Sequence, residues 1–185
     1  IVPNMDGEVG KAMHKTLEKQ GMAFKLGTKV TGAKTTKSKV ALTVEPASGG
    51  DAETIDCDVV LVSIGRIPFT ANLGLEEVGV EMDGRGVIQV DENCKTNVDG
   101  IYAIGDVIPG AMLAHKAEEE GIACVERLAG QATHINYDAI PSVVYTWPEA
   151  ASVGKTEEQL KDAGIAYNKG NFPFMANSRA RANGD

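Results

Sequence analysis

The chain of 185 residues carries 18 basic and 26 acidic side chains, a formal net charge of −8 at neutral pH. That balance speaks against general binding to nucleic acid or to an anionic membrane surface. A content of 43% hydrophobic and 24% charged residues is that of a soluble globular protein, and no apolar run approaches the ~20 residues of a membrane span. The opening Ile1-Val2-Pro3-Asn4 has neither the basic nor the apolar region of a signal peptide, and no initiator Met, so the chain is expected to start inside a longer protein.

Residues 6–20 predict a helix. Asp6 suits its N-cap, Val9, Met13 and Leu17 fall at i, i+4 and i+8, and Gly21 suits the position after its end. Ala23 to Leu26 with Val30 predict a strand, and Val40 to Glu45 alternates with the strand period. Pro46 to Asp51 is a turn-rich loop from which Thr54 to Asp56 returns as a partner strand, so a β-meander is expected here. Val59 to Ile64 is a nearly continuous apolar run between Asp58 and Gly65, the composition of a strand buried on both faces of a parallel sheet. Pro68 blocks its continuation.

Leu73 to Val80 predicts a short helix or turn, Val87 to Val90 a short strand, and Ile101 to Ile104 a buried strand. Ala114 to Leu128 predicts a helix, with Ala117, Gly121, Val125 and Leu128 on one close-packing face and Gly130 at its end. After Ile140-Pro141 the composition changes. Ser142 to Trp147 predicts a strand, Thr156 to Ala163 a short helix with a capping box between Thr156 and Gln159, and Ile165 to Tyr167 a further strand.

Chemistry concentrates in two places. Ser63-Ile64-Gly65-Arg66-Ile67-Pro68 sets a glycine at the carboxyl end of a predicted parallel strand, the edge where ligands of open α/β sheets sit. A glycine needed only for a turn would read the same way. Ile101-Tyr102-Ala103-Ile104-Gly105-Asp106 ends a predicted strand on a glycine and an acid, and Met112-Leu113-Ala114-His115 opens a helix shortly afterwards. The glycine permits close approach to the backbone, the carboxylate can accept from sugar-like hydroxyls, and the helix amides favour negative charge. Together these segments resemble the second flavin-binding motif of two-dinucleotide flavoprotein reductases.

His115 has no Cys or His partner at ligand spacing, and backbone contact is the contribution expected of it. Glu118-Glu119-Glu120 points in successive helical directions and reads as a solvated face. Cys57, Cys94 and Cys124 contain no C-x-x-C or C-x-x-x-x-C pair. Reduced thiols of a cytosolic or matrix-type compartment are expected, not a disulfide framework, a zinc site or a paired redox centre. No G-x-G-x-x-G dinucleotide loop occurs.

Nearly the whole chain resembles the dihydrolipoyl dehydrogenases, class I members of the pyridine nucleotide-disulfide oxidoreductases. The resemblance rests on Pro3 to Asp6, Lys29 to Gly32, Asp58 to Pro68, Tyr102 to Val107, Met112 to Gly121, Pro141 to Thr146, Pro148-Glu149 and Ala176 to Ala180. It implies an α/β fold made of parts of two Rossmann-like domains followed by the start of an α+β dimerisation domain. Residues 1–68 would close an NAD-binding domain, 69–139 return to an FAD-binding domain, and 140–185 open the interface domain.

On that mapping Val30 and Gly65 contact NAD, while Asp106, Met112, Leu113, Ala114 and His115 contact FAD. The implied activity is oxidation of protein-bound dihydrolipoamide with reduction of NAD⁺, on the lipoyl domain of a 2-oxoacid dehydrogenase complex. The implied enzyme is a homodimer in the bacterial cytoplasm or the mitochondrial matrix, with no nucleic-acid or membrane partner. The family's C-x-x-x-x-C pair, both glycine loops and the C-terminal His-x-His-Pro segment are absent from these residues, so no catalytic residue is assigned here. An internal, inactive fragment is the expectation, with a non-catalytic assembly module or another flavoprotein disulfide reductase as the alternative.

Overall fold

A computed structural model describes residues 1–184. The chain divides into two compact units, one made of Ile1–Ser63, Val144–Ala150 and Lys155 onward, the other of Ile64–Val143 with Ala151–Gly154.

The first unit opens on helix α1 (Gly7–Lys19), which buries Gly10 and Leu17 with Val9 and Met13 partly covered. Strands β1 (Thr28–Thr35), β2 (Val40–Pro46) and β3 (Glu53–Cys57) then form an antiparallel meander in the order β1-β2-β3. Val30 pairs with Val44, and a bulge follows before Gly32 meets Thr43. Val44 is the buried centre of this sheet. The expected extension over Ala23 to Leu26 is not a strand, and pairing begins at Thr28.

The apolar run Val59 to Ile64 departs most from expectation. It forms no strand, and its side chains other than the partly buried Val60 lie open, with Leu61 86% and Ile64 95% exposed. A strand buried on both faces needs a ladder on each side. Among the described residues no backbone hydrogen bond engages this segment.

Helices α4 (Glu157–Asp162) and α5 (Ser178–Asn183) complete the first unit. The capping box of α4 is present: Thr156 Oγ1 accepts from Gln159 N at 3.2 Å, and Gln159 Oε1 accepts from Thr156 N at 2.9 Å. A second capping arrangement joins α1 and α4. Asp6 makes no side-chain cap on its own helix and instead accepts from Glu157 N at 2.7 Å, while Glu158 Oε1 accepts from Gly7 N at 3.1 Å. Each helix start is capped by a carboxylate from the other. Glu157 also gathers Lys161, Tyr167 and Lys169, and these hydrogen bonds hold its carboxyl down at about 2. The expected strand at Ile165 to Tyr167 is irregular chain.

In the second unit Val80, Ile88, Ala103 and Ile108 form the core, with Leu75, Met82 and Val98 packed around it. Helix α2 (Leu75–Val78) lies between Gly74 and Gly79, both at positive φ. Asp83 Oδ1 accepts from Arg85 N and Val87 N and closes the Gly84-Arg85-Gly86 turn. Two expected strands reduce to isolated bridges, Met82 with Ile88 and Lys95 with Tyr102. The Ile101 to Ile104 backbone turns back on a local loop instead of joining a sheet: Thr96 N donates to Ile101 O, and Ala103 N to Cys94 O, both at 3.0 Å. Helix α3 spans Ala114–Leu128, as the pattern predicts. Short strands β4 (Ser142–Val144) and β5 (Ala150–Ser152), each divided between the two units, pair as a ribbon, and the expected continuation of β4 to Trp147 is not strand.

Asp6→Ala is expected to destabilise the first unit by about 1 kcal/mol, the usual cost of losing a helix cap. The loss registers as a lower denaturation midpoint with unchanged slope, although α1 keeps its own cap from Glu158.

Candidate functional site

Gly105 is the fixed point of the second unit. It stands at φ +76 in a single 3-10 turn (Gly105–Val107), and a β-carbon added to it would lie 3.1 Å from Ala117 Cβ. Both of its peptide groups are held by α3. Its N–H donates to Glu120 Oε2 at 2.7 Å, and its carbonyl accepts from Lys116 Nζ at 3.2 Å. The next residue is Asp106, whose side chain is exposed. The Gly-Asp pair and the start of α3, separate in sequence, thus share one corner of the structure.

At that corner α3 begins without a side-chain cap, Leu113 standing in extended conformation at its N-cap. The first-turn amides of Ala114, His115 and Lys116 have no helical carbonyl behind them. Met112 and Leu113 are partly buried, Ala114 and His115 exposed. Arg66 Nη1 donates to the Met112 carbonyl at 3.1 Å, and His115 Nε2 donates to the Pro141 carbonyl at 2.8 Å. The exposed Asp106 carboxylate can accept from hydroxyls, and the uncapped amides that open α3 favour negative charge.

The acidic triplet corrects the sequence reading. Glu118 and Glu119 are exposed, but Glu120 is 0% exposed and pairs with Lys116, itself 1% exposed, at 2.9 Å. Tyr137 donates its hydroxyl to Glu120 Oε1 at 3.0 Å. The buried face of α3 is Lys116, Glu120, Ala123 and Cys124, while Val125 and Leu128 are exposed. Ala117 and Gly121 do make the expected close contacts, a β-carbon on Gly121 falling 3.3 Å from Ile104 Cδ1. Sequence reasoning missed Lys116 and Glu120, although their spacing with Ala123 and Cys124 (i, i+4, i+7, i+8) is that of a helix face. Tyr137 is 51% exposed as a residue, but partial desolvation, with the Glu120 hydrogen bond next, pushes its phenol up to about 12. Burial likewise raises the Cys94 thiol, and Cys57, Cys94 and Cys124 are all free.

Val30 lies exposed on β1 of the first unit. Gly65, in the second, has φ +129 and open space where a β-carbon would stand. The two described cavities, about 730 and 480 Å³, are lined by residues of the first unit around α1 and α4.

The pyridine nucleotide-disulphide oxidoreductase model matches residues 1–121, and the dimerisation-domain model of the same group matches residues 140–185. The chain belongs to the pyridine nucleotide-disulphide oxidoreductase family, and its mixed helix-strand fold is the class expected from its sequence. Over 182 residues, 98% of the chain, it is 62% identical to mitochondrial dihydrolipoyl dehydrogenase of Pisum sativum and 59% identical to that of Homo sapiens. It is 60% identical to leghemoglobin reductase of Glycine max. The chain spans about a third of the length of these relatives, 36%, 36% and 35% respectively.

Among solved structures, LpdA of Mycobacterium tuberculosis superposes with a TM-score of 0.87 at 25% identity, covering 98% of this chain and 39% of that one. The HOCl-induced flavoprotein disulfide reductase RclA of Escherichia coli superposes at 0.85 with 26% identity, covering 100% and 41%. Among the described residues no helix is long and apolar enough to cross a membrane.

Two outcomes follow from this geometry. Gly105→Ala forces a side chain into a left-handed turn and against Ala117, and is expected to lower the unfolding free energy by about 2 kcal/mol or more. In an alkaline ultraviolet titration one tyrosine is expected to ionise near 12 and to vanish in Tyr137→Phe. A phenol pKa raised by folding favours the protonated form. Its contribution to stability is therefore intact below the ordinary tyrosine range near 10 and is lost as pH climbs toward about 12.

Proposed function

We propose that this chain is the cofactor-facing central part of a dihydrolipoyl dehydrogenase, an NAD-dependent flavoenzyme that oxidises protein-bound dihydrolipoamide. Residues 1–68 are read as the end of its NAD-binding domain, 69–139 as the returning segment of its FAD-binding domain, and 140–185 as the start of its dimer interface. The single observation that carries this is the corner where exposed Asp106 follows an anchored Gly105 beside the uncapped start of α3. High identity to enzymes of that name over 98% of the chain agrees with it.

The donor set fits a flavin. Asp106 would offer its carboxylate to the hydroxyls of a ribityl chain, and the segment from Met112 to His115 would hold the pyrimidine side of the ring through the free amides that open α3, Leu113 N being taken by the Ala111 carbonyl. Those amides favour negative charge at that edge by about 0.3–2 kcal/mol, the range for a charge at a helix end. Bound FAD supplies the two-electron chemistry that links a dithiol to NAD⁺. Arg66 holds the Met112 carbonyl and His115 ties α3 to Pro141, so both act on the backbone and neither moves a proton in this reading. For NAD, exposed Val30 and open Gly65 are the assigned contacts. The lipoyl domain of a 2-oxoacid dehydrogenase complex is the assigned substrate carrier, in a mitochondrial-matrix or bacterial cytoplasmic setting, with the complete subunit a homodimer.

The 185 residues alone are expected to show no dihydrolipoamide-dependent reduction of NAD⁺, since they contain no C-x-x-x-x-C pair to accept the first electrons. A complete subunit carrying this segment is expected to purify with FAD and to turn over. Asp106→Ala should weaken its FAD binding about tenfold or more, the value of hydrogen bonds to a charged acceptor. A complete subunit that holds no flavin, or that binds it equally well without the Asp106 carboxylate, defeats the assignment.

A further inference from the structure

We propose that Lys116, Glu120 and Tyr137 are positioning residues: a buried Lys116–Glu120 pair, braced by the half-exposed Tyr137 through its hydroxyl, grips both peptide groups of Gly105 and so fixes where the Asp106 carboxylate points. The inference rests on the flavin reading of the Asp106 corner and deepens it.

A buried ion pair is a poor device for stability alone, because apolar residues of similar volume often serve as well or better. What this pair touches suggests why it is there. Glu120 accepts three donors: Gly105 N at 2.7 Å, Lys116 Nζ and the Tyr137 hydroxyl at 3.0 Å. Lys116 spends its ammonium on Glu120 and on the Gly105 carbonyl at 3.2 Å. The hydrogen-bonding groups on either side of one glycine are thus both taken by one ion pair.

Gly105 has no side chain to lock its turn, and the 3.1 Å approach to Ala117 leaves no room for one. Only its peptide groups can hold the direction of the following residue. The lysine stem also runs beneath Gly110, where an added β-carbon would meet Lys116 Cε at 3.0 Å. Lys116 therefore supports the chain at two points, Gly105 before Asp106 and Gly110 in the loop that leads to Met112. With both charges compensated inside, it leaves the field of the α3 amides unopposed.

The test uses the complete FAD-bound subunit carrying this segment. Removing one charge strands the other, so the informative variant is charge-balanced, Lys116→Met with Glu120→Leu. It is expected to raise the exchange rate of the Gly105 amide and the FAD dissociation constant each by about tenfold, the scale of one lost buried hydrogen bond. Lys116→Met with Glu120→Gln restores an acceptor for Gly105 N and is expected to recover most of both.

A folded Leu variant with a freed Gly105 amide but unchanged FAD affinity and flavin spectrum overturns the clamp. Should the Leu variant fail to fold, Tyr137→Phe decides instead: a two- to fivefold weaker FAD affinity (on the order of part of a hydrogen bond) supports the clamp, and an unchanged value overturns it. A wild-type subunit without flavin sinks the reading of the site itself. Flavin-bound wild type with indifferent variants sinks only the clamp.

Discussion

The second unit is organised by the hydrogen bonds that Lys116 and Glu120 make to Gly105. An ion pair shielded from water is costly unless every remaining lone pair and proton finds a partner. Here Gly105 and Tyr137 supply those partners, and in return the turn before Asp106 acquires a fixed direction. Breaking such a pair on one side costs roughly 3–5 kcal/mol in comparable settings, so the arrangement behaves as all or nothing. The left-handed turn, the missing β-carbon and the small side chain of Ala117 are conditions for the ion pair to reach the backbone at all.

Elements defined by neighbours in sequence were legible from the residues. Helix α3 begins and ends where its pattern says, because fifteen consecutive residues carry the periodicity and Gly130 closes it. The Thr156–Gln159 box is present because both partners sit within one turn. The meander of β1, β2 and β3 was readable for the same reason, since each strand finds its ladder in the next one along the chain. Asp106 and the Met112–His115 segment were readable as neighbours because only five residues, 107–111, separate them in the chain.

The misreadings have one physical source, partners that sequence does not name. Val59 to Ile64 has the composition of a strand buried on both faces, but composition cannot supply the flanking ladders, and without them the segment stays open. Ile101 to Ile104 finds partners in the wrong place for a sheet, at Cys94 and Thr96. Glu120 was taken for surface because acids on helices are usually solvated. Its burial depends on Lys116 one turn before it and on Gly105 and Tyr137, fifteen and seventeen residues away. The hydrophobic face of α3 was misplaced by about one residue, roughly 100° of helix, because two charged residues occupy the buried stripe.

The same logic governs the first unit, where the two capping carboxylates bridge positions 151 residues apart. An N-cap is ordinarily local: a side chain bends back onto its own helix and costs little entropy to place. Exchanging caps between α1 and α4 removes that local economy and makes each helix start depend on the other being folded. Glu157 reinforces the dependence, since Lys169 joins it to Glu8 on the first turn of α1. The carboxylates at both helix starts lie where the dipoles favour them, so four acids crowd together without net repulsion as long as the amides and lysines are in place. Cooperativity of this unit thus comes from shared polar ends as much as from its few buried apolar side chains, Met5, Leu17, Val44, Ala150 and Ala180.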